Sequence, residues 1–180
     1  MPVAAFIGRF QPFHIGHAQV IEQYREEYEL VIVVGSASES RTEENPLSFE
    51  ERKELIHECF PETNIVPQQD YEKDREGNQR WMDEVLEKTG AEVIISRNEL
   101  VREIVEEREE VELVEQELEE PEMYSGTEIR RRIRGGEEWR YLVPECAKEA
   151  LSEHVDAIKE SGQDYEFEPG WEPENAYHGS

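Results

Sequence analysis

Apolar positions along the chain fall into two alternating patterns. Val3 to Gly8 (VAAFIG) is a short continuous apolar run closed by glycine. After it, apolar side chains recur at Ile15, Ala18, Val20, Ile21 and Tyr24, the spacing of a helix with one buried face. Glu29 to Gly35 (ELVIVVG) is almost wholly β-branched and apolar, as a strand buried on both faces requires. Ser48 and Glu51 then stand three apart ahead of RKELIHECF, a capping-box spacing that predicts a helix from about Phe49 to Phe60. NIVPQ reads as a weak third strand, because Pro67 cannot donate to a ladder. A helix from about Asn78 to Lys88 ended by Gly90, the strand AEVIIS, a helix near Glu99 to Glu107 and the strand EVELVEQ follow. Ser125 and Glu128 repeat the capping spacing before IRRRIR, and Gly135 with Gly136 stops that helix. Pro144 sits where a helix-starting proline would, ahead of ECAKEALSEHVDAIKE.

Strands alternating with helices over short connections predict the α/β class, a doubly wound, mainly parallel sheet with helices on both faces. In such sheets a ligand lies beyond the carboxyl ends of the strands, near the reversal of strand order. Residues just after strands are therefore the informative ones. The length of 180 residues suits one domain with a substantial core. Residues 1–160 read as that domain. Residues 161–180 mix Gly, Pro, Glu and scattered aromatics without periodicity, and read as an acidic, mobile tail docked at most by Trp171 and Tyr177.

Charge sharpens the picture. Asp and Glu number 45 against 19 Lys and Arg, for a formal net charge of −26. A field of that sign repels polyphosphates, which argues against nucleic acid and anionic membranes as partners. Runs such as LVIVVG and AEVIIS exclude disorder for most of the chain. The acid-rich surface, with arginine favoured over lysine, suits a protein working at high salt, where screening removes self-repulsion. No apolar stretch reaches membrane-spanning length and the first residues lack a signal-peptide layout, so a cytoplasmic protein is expected. Cys59 and Cys146 lack the spacing of a zinc or redox motif and are expected to be reduced structural thiols.

The segment after the first strand holds more chemistry than a connection needs. Gly8, Arg9, Phe10, Gln11, Pro12, Phe13, His14, Ile15, Gly16 and His17 follow in one stretch. Two histidines three apart at a helix start share a face. The helix N-terminus adds free amides and partial positive charge, which suit phosphate. Gly16 leaves the helix surface bare for a flat base or ribose, and Arg9 is a permanent cation. By themselves, the two histidines fit a capped helix start with one buried imidazole better than a ligand site. A zinc pair is a further alternative, but nothing nearby completes a ligand set.

The longer string GRFQPFHIGH resembles the signature loop of the archaeal-type nicotinamide mononucleotide (NMN) adenylyltransferases, in the nucleotidylyltransferase superfamily that carries an H-x-G-H motif. YSGTEIRRR resembles that family's second signature, VVGSASES its loop after the second strand, and NPLSFEER a stretch whose arginine meets a substrate phosphate. QQD with NQRW, and SRNELV, resemble the pyridine-nucleotide pocket. The resemblance spans roughly residues 3–145. The chain departs from it in a long loop between Asp70 and Asn78, in Arg97 and Glu99 flanking Asn98, and in the tail after Ser161.

The resemblance implies a Rossmann-like nucleotidylyltransferase fold and transfer of the adenylyl group of ATP to NMN, giving NAD and pyrophosphate. It implies ATP binding by Gly8, Arg9, Phe10, His14, Gly16, His17, Ser125, Gly126, Thr127 and Arg130, with His14, His17, Arg9 and Arg130 catalytic. NMN binding is implied for Gly35, Ser36, Ser38, Arg52, Asp70, Asn78, Trp81 and Asn98. Hydroxyls and amides at a helix start with a cation one turn on, as at Ser125, Thr127 and Arg130, form an anion site on physical grounds too. An aromatic face such as Trp81 suits a pyridinium, although a core tryptophan is an alternative. Mg²⁺ is expected to arrive with ATP and to need few protein ligands. Self-association follows by resemblance only. Related adenylyltransferases acting on phosphopantetheine or flavin mononucleotide share the H-x-G-H helix, and a non-catalytic nucleotide-sensing module on the same fold is the reading from another class.

Overall fold

The computed structural model describes residues 1–114 and 125–163. The strands are β1 (Val3–Gly8), β2 (Glu29–Val34), β3 (Asn64–Pro67), β4 (Val93–Ile95) and β5 (Glu112–Val114). The helices are α1 (Ile15–Tyr24), α2 (Phe49–Cys59), α3 (Arg75–Thr89), α4 (Glu99–Glu106), α5 (Gly126–Gly135), α6 (Glu145–Ser152) and α7 (Val155–Gln163), with a 3-10 turn at Arg140–Leu142.

The strands form one all-parallel sheet in the order β3-β2-β1-β4-β5. β1 is central: Val3 to Gly8 pair with Glu29 to Val34 on one side, and Ala4 to Phe6 with Val93 to Ile95 on the other. Period-two alternation sends β1 side chains to opposite faces. Ala4 and Phe6 join Val20, Ile21, Leu55, Ile56, Ile129, Leu151 and Ile158 in the core under α1, α2 and α5–α7. Ala5 and Ile7 join Met82, Val85, Val101, Ile104 and Val105 in the core under α3 and α4. Both faces are covered, as the continuous apolar strands require. Pro67 is tolerated because β3 is an edge strand.

Local signals set most helix ends. Ser48 and Glu51 form a reciprocal capping box at α2, and Gly90 and Gly136 end α3 and α5 in left-handed conformation. α3 starts three residues before the expected Asn78, because the Asp74 carboxylate accepts from the Gly77 amide and caps an earlier turn. The expected helix over ECAKEALSEHVDAIKE is two helices. The amides of Glu153 and His154 bond back only three residues, to Ala150 and Leu151, which tightens the last turn of α6, and α7 begins afresh at Val155. The expected tail begins inside α7, where Ser161 is buried. Trp171 and Tyr177 lie outside the described residues.

The expectation of two free thiols is overturned. Cys59 at the end of α2 and Cys146 at the start of α6 form a disulfide across 87 residues, with Cα atoms 5.3 Å apart. The two helices pack on each other, and that contact brings together cysteines whose sequence spacing gives no sign of pairing. Reduction, or Cys146→Ser, is expected to lower stability by about 2–4 kcal/mol, because it opens so long a loop in the unfolded chain. Chemical denaturation with and without a dithiol reductant measures this. Coincident curves would show that helix packing alone holds α6 in place.

Candidate active site

Strand order reverses at β1, since β2 and β3 lie to one side and β4 and β5 to the other. The crevice beyond the carboxyl ends of β1 and β4 is the place such sheets reserve for ligands. It holds a cavity of about 460 Å³, a common size for a small-molecule site. The β1–α1 loop lines it with Gly8, Arg9, His14, Gly16 and His17, and the segment after β2 with Gly35 and Ser36. Asp70, Asn78, Trp81 and Asn98 complete the expected residues found there. Leu100, Val101 and Ile104 of α4 supply an apolar wall.

The histidines cap α1 reciprocally. The His14 amide donates to His17 Nδ1 at 3.1 Å, and the His17 amide donates to His14 Nδ1 at 3.4 Å. The imidazoles stack with centroids 3.7 Å apart, and the His17 ring also rests on Phe10 and Phe13. Since each Nδ1 accepts, each neutral ring carries its proton on Nε2. Burial, helped by the positive charge of Arg97, lowers His14 from 6.5 to about 3. Burial, then His14 and Arg97, hold His17 well below the usual range. Both rings are therefore neutral donors at neutral pH. His14 Nε2 is buried without a hydrogen-bond partner among the described residues, and a buried donor left unpaired costs free energy until an acceptor arrives. The capped-helix reading holds through Nδ1, and Nε2 is left over from it.

The backbone is strained where the chain leaves the sheet. Phe10 (φ 54°) and Ser36 (φ 47°) both sit in the left-handed region, at a cost of about 1–3 kcal/mol each. The buried Phe10 ring, edge-on to Phe6, holds the first. Arg52 holds the second.

Arg52 does not line the cavity, contrary to the expected phosphate contact. It is fully buried, and its five N–H groups meet five carbonyl oxygens: Ser48 from Nε, Arg9 and Gly35 from one terminal nitrogen, Ser36 and Glu39 from the other, at 2.8–3.5 Å. No donor is left for a ligand. Burial, with the charge of Arg9 nearby, lowers Arg52 to about 10, so it remains a cation.

Arg130 is also buried, donating to the Gln11 carbonyl at 2.6 Å and to Thr127 Oγ1 at 3.4 Å. Burial and the charges of Arg9 and Arg134 lower it to about 10. It stands behind the first loop rather than on the cavity wall. The same holds for Ser125, whose hydroxyl accepts from the Glu128 amide, and for Gly126, where a Cβ would lie 2.7 Å from the Gln11 carbonyl oxygen. Thr127, Phe10 and Ser38 are likewise absent from the wall. Asp70 and Ser36 meet across 34 residues, hydroxyl to carboxylate at 3.0 Å. Asn98 faces the cavity but its side chain caps α4, accepting from the Val101 amide.

Sequence reasoning missed Arg97, Tyr71, Lys73, Glu39, Glu44 and Asn45, all on the wall. Arg97 is the second residue after β4 and could have been found by position, since residues after strands line the crevice. Tyr71 and Lys73 belong to the long loop before α3. That loop folds down on the helix start because residue 77 is glycine: a Cβ there would lie 1.9 Å from the Glu72 carbonyl oxygen.

A model of the cytidylyltransferase-like family matches residues 5–132. A nicotinamide-nucleotide adenylyltransferase of Halobacterium salinarum is 36% identical over 156 residues, which is 86% of this chain and 87% of that one. One from Methanosarcina barkeri is 38% identical over 161 residues, 88% and 91% of the two chains. Among solved structures, the bifunctional NMN adenylyltransferase/ADP ribose pyrophosphatase of Francisella tularensis, complexed with AMP and a manganese ion, matches with a TM-score of 0.71 at 21% identity. The match covers 89% of this chain and 51% of that one, so the present chain spans about half its length and shares its fold. With a matched core from the first strand to the fifth helix, and more than a third of the aligned residues identical to those of archaeal relatives along most of their length, this chain belongs to the cytidylyltransferase-like family, on its archaeal nicotinamide-nucleotide adenylyltransferase branch.

Proposed function

We propose that this protein transfers the adenylyl group of ATP to NMN, forming NAD and pyrophosphate. The observation that carries the reading is the stacked pair of neutral imidazoles at the α1 N-terminus, with Nε2–H of His14 buried and unpartnered beside the cavity. An oxygen of the mononucleotide 5′-phosphate bonds to the α-phosphorus. The bond from that phosphorus to the β-bridging oxygen breaks, and its electron pair leaves on pyrophosphate. No proton need move and no protein nucleophile is required. Catalysis then rests on aligning two phosphates and on donors preset toward the charge that develops. His14 and His17 supply two such N–H donors, Arg9 a cation, and the α1 amides the partial positive charge of a helix start. Trp81 and Asn78, together on one wall, take the pyridine ring and its carboxamide. Arg52 and Arg130 act from behind, Arg52 by fixing the loops after β1 and β2 and Arg130 by bracing the Gln11 carbonyl.

Glu39, Glu44 and Asp70 line the cavity, but among the described residues no three His, Cys, Asp or Glu side chains are grouped to hold a metal ion. A Mg²⁺ ion would be carried mainly by the triphosphate's own oxygens, where it would neutralise charge on the phosphates. Two substrates of negative charge must approach a chain of net charge −26, so activity belongs at high ionic strength. Self-association carries over from the family in the same way. No helix among the described residues is long and apolar enough to cross a membrane.

Incubation with ATP, Mg²⁺ and NMN in molar KCl should yield NAD and pyrophosphate, and His17→Ala should lower turnover about 100-fold, roughly 3 kcal/mol. Pyrophosphate formed only with another acceptor, such as phosphopantetheine, would overturn the choice of substrate. The rate should rise as KCl increases from dilute buffer, and a monotonic fall would remove the high-salt reading. In the free protein, the His14 and His17 ring resonances should show no titration step near 6.5, because burial holds both rings neutral. The sign for stability follows. Below about 6.5 the unfolded chain takes up protons that the fold refuses, so this contribution is complete above 6.5 and is lost as pH falls toward 3. An acid titration by fluorescence and NMR checks both, and a normal midpoint for either ring contradicts the burial.

A further inference from the structure

Arg97 stands at the turn between β4 and α4, one residue before the Asn98 cap. Its side chain is exposed at the mouth of the same cavity that His14 and His17 line. It lies close enough that its charge helps to keep both rings neutral. Other arginines of this chain are claimed by the abundant carboxylates. Arg41 pairs with Glu51, Arg108 with Asp83 and Glu110, Arg131 with Glu128 and Glu137, and Arg9 with Glu44 at 3.9 Å. Arg97 makes no hydrogen bond or ion pair with any described residue, and no acid opposes the effect of burial on it. In a chain with 45 acidic and 19 basic residues, a cavity arginine without a counterion among the described residues stands out. In the same cavity, His14 Nε2 is a buried donor without an acceptor among the described residues. One anionic group between them would satisfy both, and the α1 amides would complete its cradle.

We propose that Arg97 is a substrate-binding residue that grips the triphosphate of ATP from the β4 side of the crevice, opposite His14 and His17. This rests on the adenylyl-transfer reading for the identity of the anion. The guanidinium forms charge-assisted hydrogen bonds to phosphate oxygens and faces the charge that grows on the α-phosphate oxygens and the leaving pyrophosphate. Its planar fork can take two oxygens at once. The cleft is thereby held from both sides of the strand reversal, by the β1–α1 loop and by the β4–α4 turn.

Equilibrium titrations of wild type, Arg97→Gln and Arg97→Lys with Mg²⁺-ATP, and separately with NMN and with nicotinic acid mononucleotide, test this in molar KCl. Arg97→Gln should weaken ATP binding on the order of tenfold or more, leave both mononucleotides unchanged, and keep the wild-type circular dichroism. Arg97→Lys should recover part of the loss, since it keeps the charge without the fork. Unchanged ATP affinity in Arg97→Gln overturns the proposal. So does a loss confined to a mononucleotide, which would assign the anion subsite to the second substrate's phosphate or to a pyridine carboxylate. The two readings fail separately. Wild type that binds ATP through Arg97 yet forms no NAD sinks the reaction alone. Wild type that forms NAD while Arg97→Gln binds ATP normally sinks Arg97 alone.

Discussion

The five carbonyl oxygens around Arg52 are the constraint on which the site depends. They come from Arg9 in the first loop, from Gly35, Ser36 and Glu39 after β2, and from Ser48 at the α2 cap. The Ser48 and Ser36 carbonyls also accept the backbone amides of Arg52 and Glu39, and burying the others unpaired would cost free energy at each one. One guanidinium with five donors in a fixed plane satisfies them together and holds the loops in register. The left-handed Ser36 and the placement of Arg9 follow from that grip. Arg130 repeats the device on the other side of the first loop through the Gln11 carbonyl, while the Gln11 side chain clamps both backbone groups of Leu47 at 2.8 and 2.9 Å. The loop that presents the histidines is thus fixed from behind before any ligand arrives.

Electrostatics divides the chain into a surface and a site. The surface is strongly acidic, and the cations it holds are mostly paired. Behind the cavity, Arg52 and Arg130 are buried cations whose hydrogen bonds go to carbonyl and hydroxyl oxygens rather than carboxylates, so their charge is not cancelled by a contact partner. The imidazoles stay neutral because they are buried, with the charge of Arg97 helping, which makes them donors without adding repulsion among cations. A polyanion entering this volume would meet Arg9, Lys73, Arg97 and oriented N–H groups, beside the carboxylates of Glu39, Glu44 and Asp70. Donors preset in this way stabilise charge without reorganising.

Much of the fold was legible because it rests on local signals. Apolar runs marked β1, β2 and β4, and capping residues and glycines marked the ends of α2, α3 and α5 within a turn. Candidate residues on loops directly after strands, such as Gly8, Arg9, His14, His17, Gly35 and Ser36, also lay where expected, since a parallel sheet delivers all its carboxyl ends to one edge. The misreadings share another cause. Arg52, Arg130 and Ser125 are polar residues beside the site, and sequence cannot tell whether such a donor faces a ligand or a backbone carbonyl. The disulfide was invisible for the same reason, as pairing across 87 residues depends on how α2 meets α6.

By itself, the order of residues determined a parallel α/β domain with a phosphate-suited helix start at His14–His17, because periodicity, caps and spacing act over a few residues. Only the tertiary structure decided which donors were consumed by the chain's own carbonyls and which were left over for a ligand. That division depends on contacts between segments tens of residues apart. It turned Arg52 into a brace, joined Cys59 to Cys146, and left Arg97 and His14 Nε2 at one cavity without a partner among the described residues.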